Sequence, residues 1–350
     1  MTKHKAVLWS VVVIALAALV FFYRDKVHFD WKNFWQQLRY VSFGHILAGI
    51  ALVYTTFWLR AVRWAVFVSP TKKVSASSLV GSQFIGFTAV ALFGRLADLT
   101  RPYLIARRVG LSLSSQVAVY TIERMFDLGA AAVIFSCALA FTPKDLPHHH
   151  EFVKAGEFSM AATLAIAVFA GTIRVAGGAV AELARRTVGL LSKSAGESIA
   201  TKIDGFRHGL NALSSVRDFG AVTLLSLTMW GMIGFAYLET VRAFVHTPEL
   251  GNLTYSRTML LMAASIGGSL LQLPIIGWFT QIAVTATAMH AFYGAPIEAA
   301  TACGAVLLVV TFLCIIPTGF IFSQVEHVSL KRITQESEAA SVVAVTTDAG

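Results

Sequence analysis

The chain has 350 residues, of which 56% are hydrophobic and 13% charged, with a mean hydropathy of +0.68. A soluble domain typically carries about 25% charged residues, and a chain this apolar lacks the polar surface to cover itself in water. A water-soluble fold is excluded, and the net charge of +9 reads as membrane topology rather than as a nucleic-acid footprint.

In chain order, Ala6–Tyr23 is the first apolar run, just after Lys3 and Lys5. Ala15-Leu16-Ala17 resembles a signal cleavage site. The run nevertheless continues through Phe22, long enough for a bilayer of about 30 Å, and is expected to be an uncleaved span. Residues 24–43 follow as an outer interfacial segment with Phe29, Trp31, Phe34, Trp35 and Tyr40, aromatics of the kind that settle at head-group level. Full spans are expected at Gly44–Val68, Gln116–Phe141, Phe158–Val175, Phe219–Phe244 and Ile297–Phe322. Leu79–Phe93 is short and runs into Gly94-Arg95-Leu96-Ala97-Asp98, while Met259–Phe292 is interrupted by Leu273-Pro274-Ile275-Ile276-Gly277. Such breaks free backbone groups that lipid cannot satisfy, so both stretches are read as re-entrant or broken helices, with Gly94, Pro274 and Gly277 at the breaks.

Between the halves, residues 177–218 are polar. Ile199, Ile203, Phe206, Leu210 and Leu213 form one apolar stripe there, as on a helix lying along the interface. His148-His149-His150 reads as a solvated loop, since three adjacent histidines cannot all face one metal ion on a regular helix. Cys137, Cys303 and Cys314 lie in apolar stretches without metal-like spacing and read as buried small side chains. Neither a metal nor another cofactor is expected. Residues 324–350, and above all those from Gln335, are expected to be a disordered tail.

The expected fold is therefore all-α, a polytopic transmembrane bundle with six full spans plus two broken segments, or eight spans. Residues 44–141 and 219–323 form two halves, linked by 142–218, with the same order of elements and opposite polarity. An inverted repeat with a broken segment in each half is a transporter signature, with the site between them. With both termini inside, 19 Lys and Arg fall on the inner side and eight on the outer, which favours the cytoplasm for both termini.

The informative side chains are ionisable ones at depth. Arg95, Asp98 and Arg101 occupy and leave the first break, and Glu123, Arg124 and Asp127 lie in the next span. A lone charge at mid-bilayer costs about 2.5–3.5 kcal/mol, so these groups must pair or face water. Glu123 and Asp127 are one helical turn apart and share a face, with Tyr120 a turn earlier. Arg124 pairs with Asp127 across three residues, and Arg95 and Arg101 meet the acids from the opposite side. Arg60 and Arg63 end the second span nearby. Guanidinium donors match two phosphate oxygens at once, so Arg60, Arg95 and Arg101 are expected to hold an anionic head group, with Glu123 and Asp127 orienting those arginines or attracting a cationic group and Asp98 and Arg124 completing the site. A purely structural ion-pair network is the competing reading. No nucleotide loop, metal cluster or nucleophile elbow is present, and no enzyme activity is expected.

Trp58-Leu59-Arg60-Ala61-Val62-Arg63-Trp64, Phe93-Gly94-Arg95-Leu96-Ala97-Asp98-Leu99-Thr100-Arg101, then Leu104, Arg107-Arg108, Gly110 and Ile122-Glu123-Arg124-Met125-Phe126-Asp127 follow one another in an order and spacing that resembles the lysylphosphatidylglycerol synthase transmembrane-region family of flippase-like proteins. The resemblance implies a lipid-handling bundle in the bacterial inner membrane, without the soluble synthase domain. Its partner would be a phospholipid or a polyprenyl- or hopanoid-type lipid. Two departures stand out. The family's second half has a proline–glycine run followed by glutamate, and an arginine in the last span. This chain has Gln281 ending the corresponding run, and its last span passes Val310 and Thr311 without an arginine. The missing acid and base also suit a non-transporting partner that holds a glycosyltransferase or lipid-modifying enzyme. The inverted halves alone would suit an ion-coupled carrier of small solutes.

Overall fold

The computed structural model describes residues 29–141, 149–190, 192–193, 195–197, 199–200, 215–269 and 276–337, and these are helical or in short connections. The expected first span Ala6–Tyr23, His148, Pro274, most of the 199–213 stripe and residues 338–350 lie outside the described residues. Among the described residues, four helices are long and apolar enough to cross a membrane: Phe43–Val68, Ala76–Phe93, Val216–Arg242 and the bent Ile297–Val325.

The first described helix, α1 (Trp31–Arg39), is capped by the Asp30 carboxylate, which accepts from the N–H groups of Lys32 (2.9 Å) and Asn33 (3.1 Å) and so satisfies two of the first-turn donors. Phe34 and Leu38 pack inward while Trp31 and Trp35 are exposed, as expected of an interfacial aromatic segment. The next helix, α2 (Phe43–Val68), is apolar nearly all round and runs the length of the bundle. At its start Ser42 N–H donates to Ala243 O at 2.8 Å.

The first broken stretch is a helical hairpin. Its outgoing arm, α3 (Ala76–Phe93), stops at Gly94, whose φ of +72° and ψ of −158° are open only to glycine. A 3₁₀ turn (Gly94–Ala97) leads to α4 (Thr100–Val109), which folds back along the first arm. Lys72 Nζ reaches Val109 O at 2.6 Å, and Arg108 donates to Ser78 O, so the hairpin leaves at the end it entered. Gly110, with φ +67°, then turns the chain into α5 (Leu113–Ala140).

After α5 comes α6 (His149–Gly189), which runs past the expected end at Val175 with one non-helical residue at Ala176 (φ −119°, ψ 22°). It approaches α5 closely, since a Cβ on Gly156 would lie 2.5 Å from Ala140 N. Then α7 (Val216–Arg242) returns through the bundle, and the single turn α8 (Pro248–Gly251) precedes the second hairpin. Its arms, α9 (Tyr255–Ser269) and α10 (Ile276–Tyr293), are antiparallel: Tyr293 OH donates to Arg257 O at 2.8 Å and Gln281 Nε2 to Ser265 Oγ at 2.8 Å. This hairpin begins near Ala243, at the end of α2 opposite the first hairpin.

Two expectations are corrected. Ile297–Phe322 is not one uninterrupted helix: α11 (Ile297–Thr311) and α12 (Ile316–Val325) are separated at Phe312 (φ −135°, ψ −51°) and a 3₁₀ turn (Leu313–Ile315). Pro317 is the physical reason, because it lacks an N–H and its ring clashes with the carbonyl four residues earlier. The Tyr54 hydroxyl donates to Cys314 O (2.9 Å) within this break. Residues 324–337, assigned to a disordered tail, include a helix, 330–337, α13. Leu330 and Ile333 are buried against Ile85, Ala89 and Leu104 of the first hairpin. Glu326 joins Arg108 at 3.0 Å, its carboxyl raised above its usual pKa by burial and pulled down less strongly by Arg108.

The hairpin's tight seam makes a test. A Cβ on Gly86 would sit 2.6 Å from Arg101 Cβ and 3.0 Å from its Cα, so α4 itself would have to move. Gly86→Ala is expected to cost about 1–3 kcal/mol through overpacking, read as a lower thermal midpoint in detergent. An unchanged midpoint would mean that the hairpin seam is loose.

Candidate functional site

Arg60 and Arg63 are three apart on α2, and Glu123 and Asp127 four apart on α5, so each pair occupies one face of its helix. The two faces meet. Arg63 is fully buried and is the pivot: Nη1 donates to Asp127 Oδ1 (2.7 Å) and Ser226 Oγ (2.7 Å), and Nη2 to Glu123 Oε1 (2.6 Å). From the hairpin's return arm, Arg101 binds both Glu123 oxygens and donates to Gln83 Oε1 at 3.0 Å. Its guanidinium lies 4.8 Å from the Trp64 ring centre, 4.9 Å from Phe87 and 5.3 Å from Tyr120. Trp64 is in turn fixed by donating to Gln116 Oε1 at 2.9 Å. These charges are removed from lipid, and the carboxylates have guanidinium partners, the condition under which buried charge is tolerated.

Arg60 and Arg124 are held differently. Arg60 makes one long contact, Nη1 to Asp127 Oδ2 at 3.4 Å, and Arg124 approaches Asp127 only to 3.9 Å. Among the described residues the Nε of each has no hydrogen-bond partner. Arg60 lies over Phe87 at 5.0 Å and Arg124 over Tyr120 at 5.0 Å. Both line a cavity of about 260 Å³, with Asp127, Gly94 and Val90 on one wall and Trp230, Tyr237, Gly277, Trp278, Gln281 and Thr311 on the other. An adjoining cavity of about 450 Å³ is lined by Asp98, Arg101, Tyr120 and Arg124. Phe312, at the break between α11 and α12, lines both.

Of the residues singled out in the sequence, Arg60, Arg101, Glu123, Arg124 and Asp127 thus come together, and Asp98 lies beside them. Arg95 occupies the 3₁₀ turn, with its side chain outside the described part, and Gly277 sits on the second wall while Pro274 is outside the described residues. Arg101 is committed to Glu123 and Gln83, whereas Arg60 and Arg124 reach a carboxylate only at 3.4 and 3.9 Å. Arg63, read as a span-ending residue, is the centre of the network, because it faces Glu123 and Asp127 of α5 and Ser226 of α7. Gln83, Phe87 and Ser226 were missed. Their only signal was position on the buried faces of α3 and α7, which a single sequence does not disclose.

Toward the other hairpin the contacts are neutral. Tyr237 OH and Gln281 Nε2 both donate to Ser265 Oγ, at 3.0 and 2.8 Å. Gln281 and Thr311 line the cavity together.

A search of curated proteins found no match to this chain. The family model described as "Lysylphosphatidylglycerol synthase TM region" matches residues 7–319. With nearly the whole chain covered and membrane-length apolar helices in the fold, this multi-pass membrane protein belongs to the lysylphosphatidylglycerol synthase TM region family.

Proposed function

We propose that the protein is flippase-like: it takes the anionic head group of a lipid or lipid-linked precursor, of phospholipid, polyprenyl or hopanoid type, onto Arg60 and Arg124 and moves it between leaflets without covalent chemistry. One observation carries this reading: Arg60 and Arg124, which reach a carboxylate only at 3.4 and 3.9 Å, border the cavity that lies between the two hairpins. A structural network alone explains Arg63 and Arg101, but it gives no reason for two incompletely paired arginines on a cavity wall. Hairpins entering from opposite ends suit an inverted repeat of six spans plus two broken segments, with gating across the pseudo-twofold.

The same reading puts both termini in the cytoplasm of a bacterial cell, in its inner membrane. Withdrawing the paired Arg60, Arg63 and Arg101 from the inner-loop count leaves 16 Lys and Arg inside against eight outside, so the bias survives. The neutral pair Gln281 and Thr311 favours a second reading, in which the protein presents a lipid to a glycosyltransferase or lipid-modifying enzyme without moving it.

Reconstitution into vesicles with head-group-labelled anionic lipids decides between them. The wild type is expected to equilibrate at least one such lipid between leaflets, and Arg60→Ala/Arg124→Ala to lose that movement. Binding without movement favours the second reading. Movement that the double variant preserves rejects the proposed site.

A further inference from the structure

We infer that helix α13 (330–337) is a releasable strap: docked, it locks the first hairpin, and released, it frees the arm that carries Arg101. None of its described residues lines either cavity, so the strap stands or falls independently of what Arg60 and Arg124 bind.

The chain reverses sharply to form it. Glu326 N–H still closes the last turn of α12 on Phe322 O at 2.9 Å, and Val328 N–H then turns back to Ser323 O at 2.8 Å. Between them His327 has φ +52°, the one non-glycine residue with positive φ among the described residues, and such side chains adopt that conformation uncommonly. From this root α13 runs antiparallel to α4. Glu326 meets Arg108 near the end of α4, Leu330 is clustered with Leu104, and the Thr334 and Ser337 hydroxyls lie 3.4 and 3.5 Å from the Thr100 hydroxyl at its start. Ile85 and Ala89 of α3 belong to the same apolar cluster. The strap therefore spans both arms of the hairpin.

Its hold is narrow. Leu330 and Ile333 supply the buried apolar seam. Beside it Glu336 takes Arg107 at 3.5 Å and the Tyr103 hydroxyl at 3.3 Å, besides Arg332 of its own helix at 2.7 Å. Arg107 and Arg332 are exposed, so these pairs are weak and screened by salt. A helix as short as 330–337 is not stable on its own, so α13 stays helical only while docked. What it covers explains why release matters. Thr100 precedes Arg101, which binds Glu123, and the same hairpin supplies Val90 and Gly94 to the cavity wall. Without the strap, α4 keeps only its packing on α3 and α5.

Native-state hydrogen exchange on the full chain in detergent tests this, following the amides of α4 with α9 and α10 of the second hairpin as internal control. Glu326→Gln/Glu336→Gln, which keeps side-chain shape, is expected to speed exchange in α4 about threefold, the worth of weak exposed pairs. Raising salt from about 0.01 to 1 M shortens the screening length from about 30 to 3 Å; it should speed α4 of the wild type by a similar factor and leave the double variant unchanged. Leu330→Ser/Ile333→Ser, which undocks the strap, should speed α4 about tenfold or more and leave α9 and α10 at the wild-type rate. An α4 rate unmoved by both variants rejects the strap. Equal acceleration of both hairpins also rejects it, since that is the response of a fold loosened throughout. Should the serine variant fail to fold, the glutamine variant and the salt series decide: no acceleration in either overturns the strap.

Discussion

Arg63→Ala is expected to destabilise the protein by about 3–5 kcal/mol, the cost of removing one partner from a buried ion pair. The magnitude follows from what is left behind. Glu123 keeps Arg101, but Asp127 keeps only the 3.4 Å contact to Arg60 and the 3.9 Å approach of Arg124, and Ser226 loses its donor. The site is closed to water at Arg63 and nearly so at Glu123, so the Glu123 carboxylate recovers no hydration shell. A typical domain has only about 5–15 kcal/mol to lose. The expected readout is a large fall in folded yield and in the thermal midpoint in detergent. Arg63→Lys should recover only part of it, because one ammonium does not reproduce a planar fork that reaches Asp127, Glu123 and Ser226 together. A midpoint unaffected by Arg63→Ala would reduce the network to an ornament of the fold.

That Arg63 escaped a reading of the sequence has a physical cause. Two arginines near the end of an apolar run look like a cytoplasmic boundary. The helix ends at Val68 as its hydropathy predicts, but the burial of Arg63 depends on the partner charges on α5, and that is tertiary information. The first break was legible, since a glycine followed by charges has few alternatives inside an apolar chain, and Gly94 indeed carries the positive φ. The bend before α12 was legible too, but in a different signal. Mean hydropathy over the most apolar 18 residues of Ile297–Val325 is 2.6 and does not register Pro317, although the argument applied to Pro274 applies to it equally. Helix 330–337 was hidden in a polar composition. Its buried residues Leu330, Ile333, Thr334 and Ser337 nonetheless follow the spacing of one helical face.

Arg101 and Arg124 separate structure from function by opposite responses. Arg101→Ala removes a fork on Glu123, a donor to Gln83 and a cation packed against three aromatic rings. It is expected to cost about 3 kcal/mol of stability, with any loss of lipid binding following from loss of folded protein. Arg124→Ala gives up a 3.9 Å pair and a ring contact with Tyr120 on a side chain that is 40% exposed, each worth about 0–1 kcal/mol, so its thermal midpoint should stay closer to the wild type than that of Arg101→Ala. Its effect falls on the ligand. A charge-assisted hydrogen bond to a phosphate contributes about 1.5–3 kcal/mol, which is roughly a 10- to 150-fold loss of affinity for an anionic head group. Measuring thermal midpoint and lipid affinity on both variants yields a crossed pattern if the cavity wall is the binding surface. The reverse pattern, with Arg101→Ala stable but blind to lipid and Arg124→Ala unstable but still binding, would return the head group to the hairpin break and make Arg60 and Arg124 mere remnants of the ion-pair network.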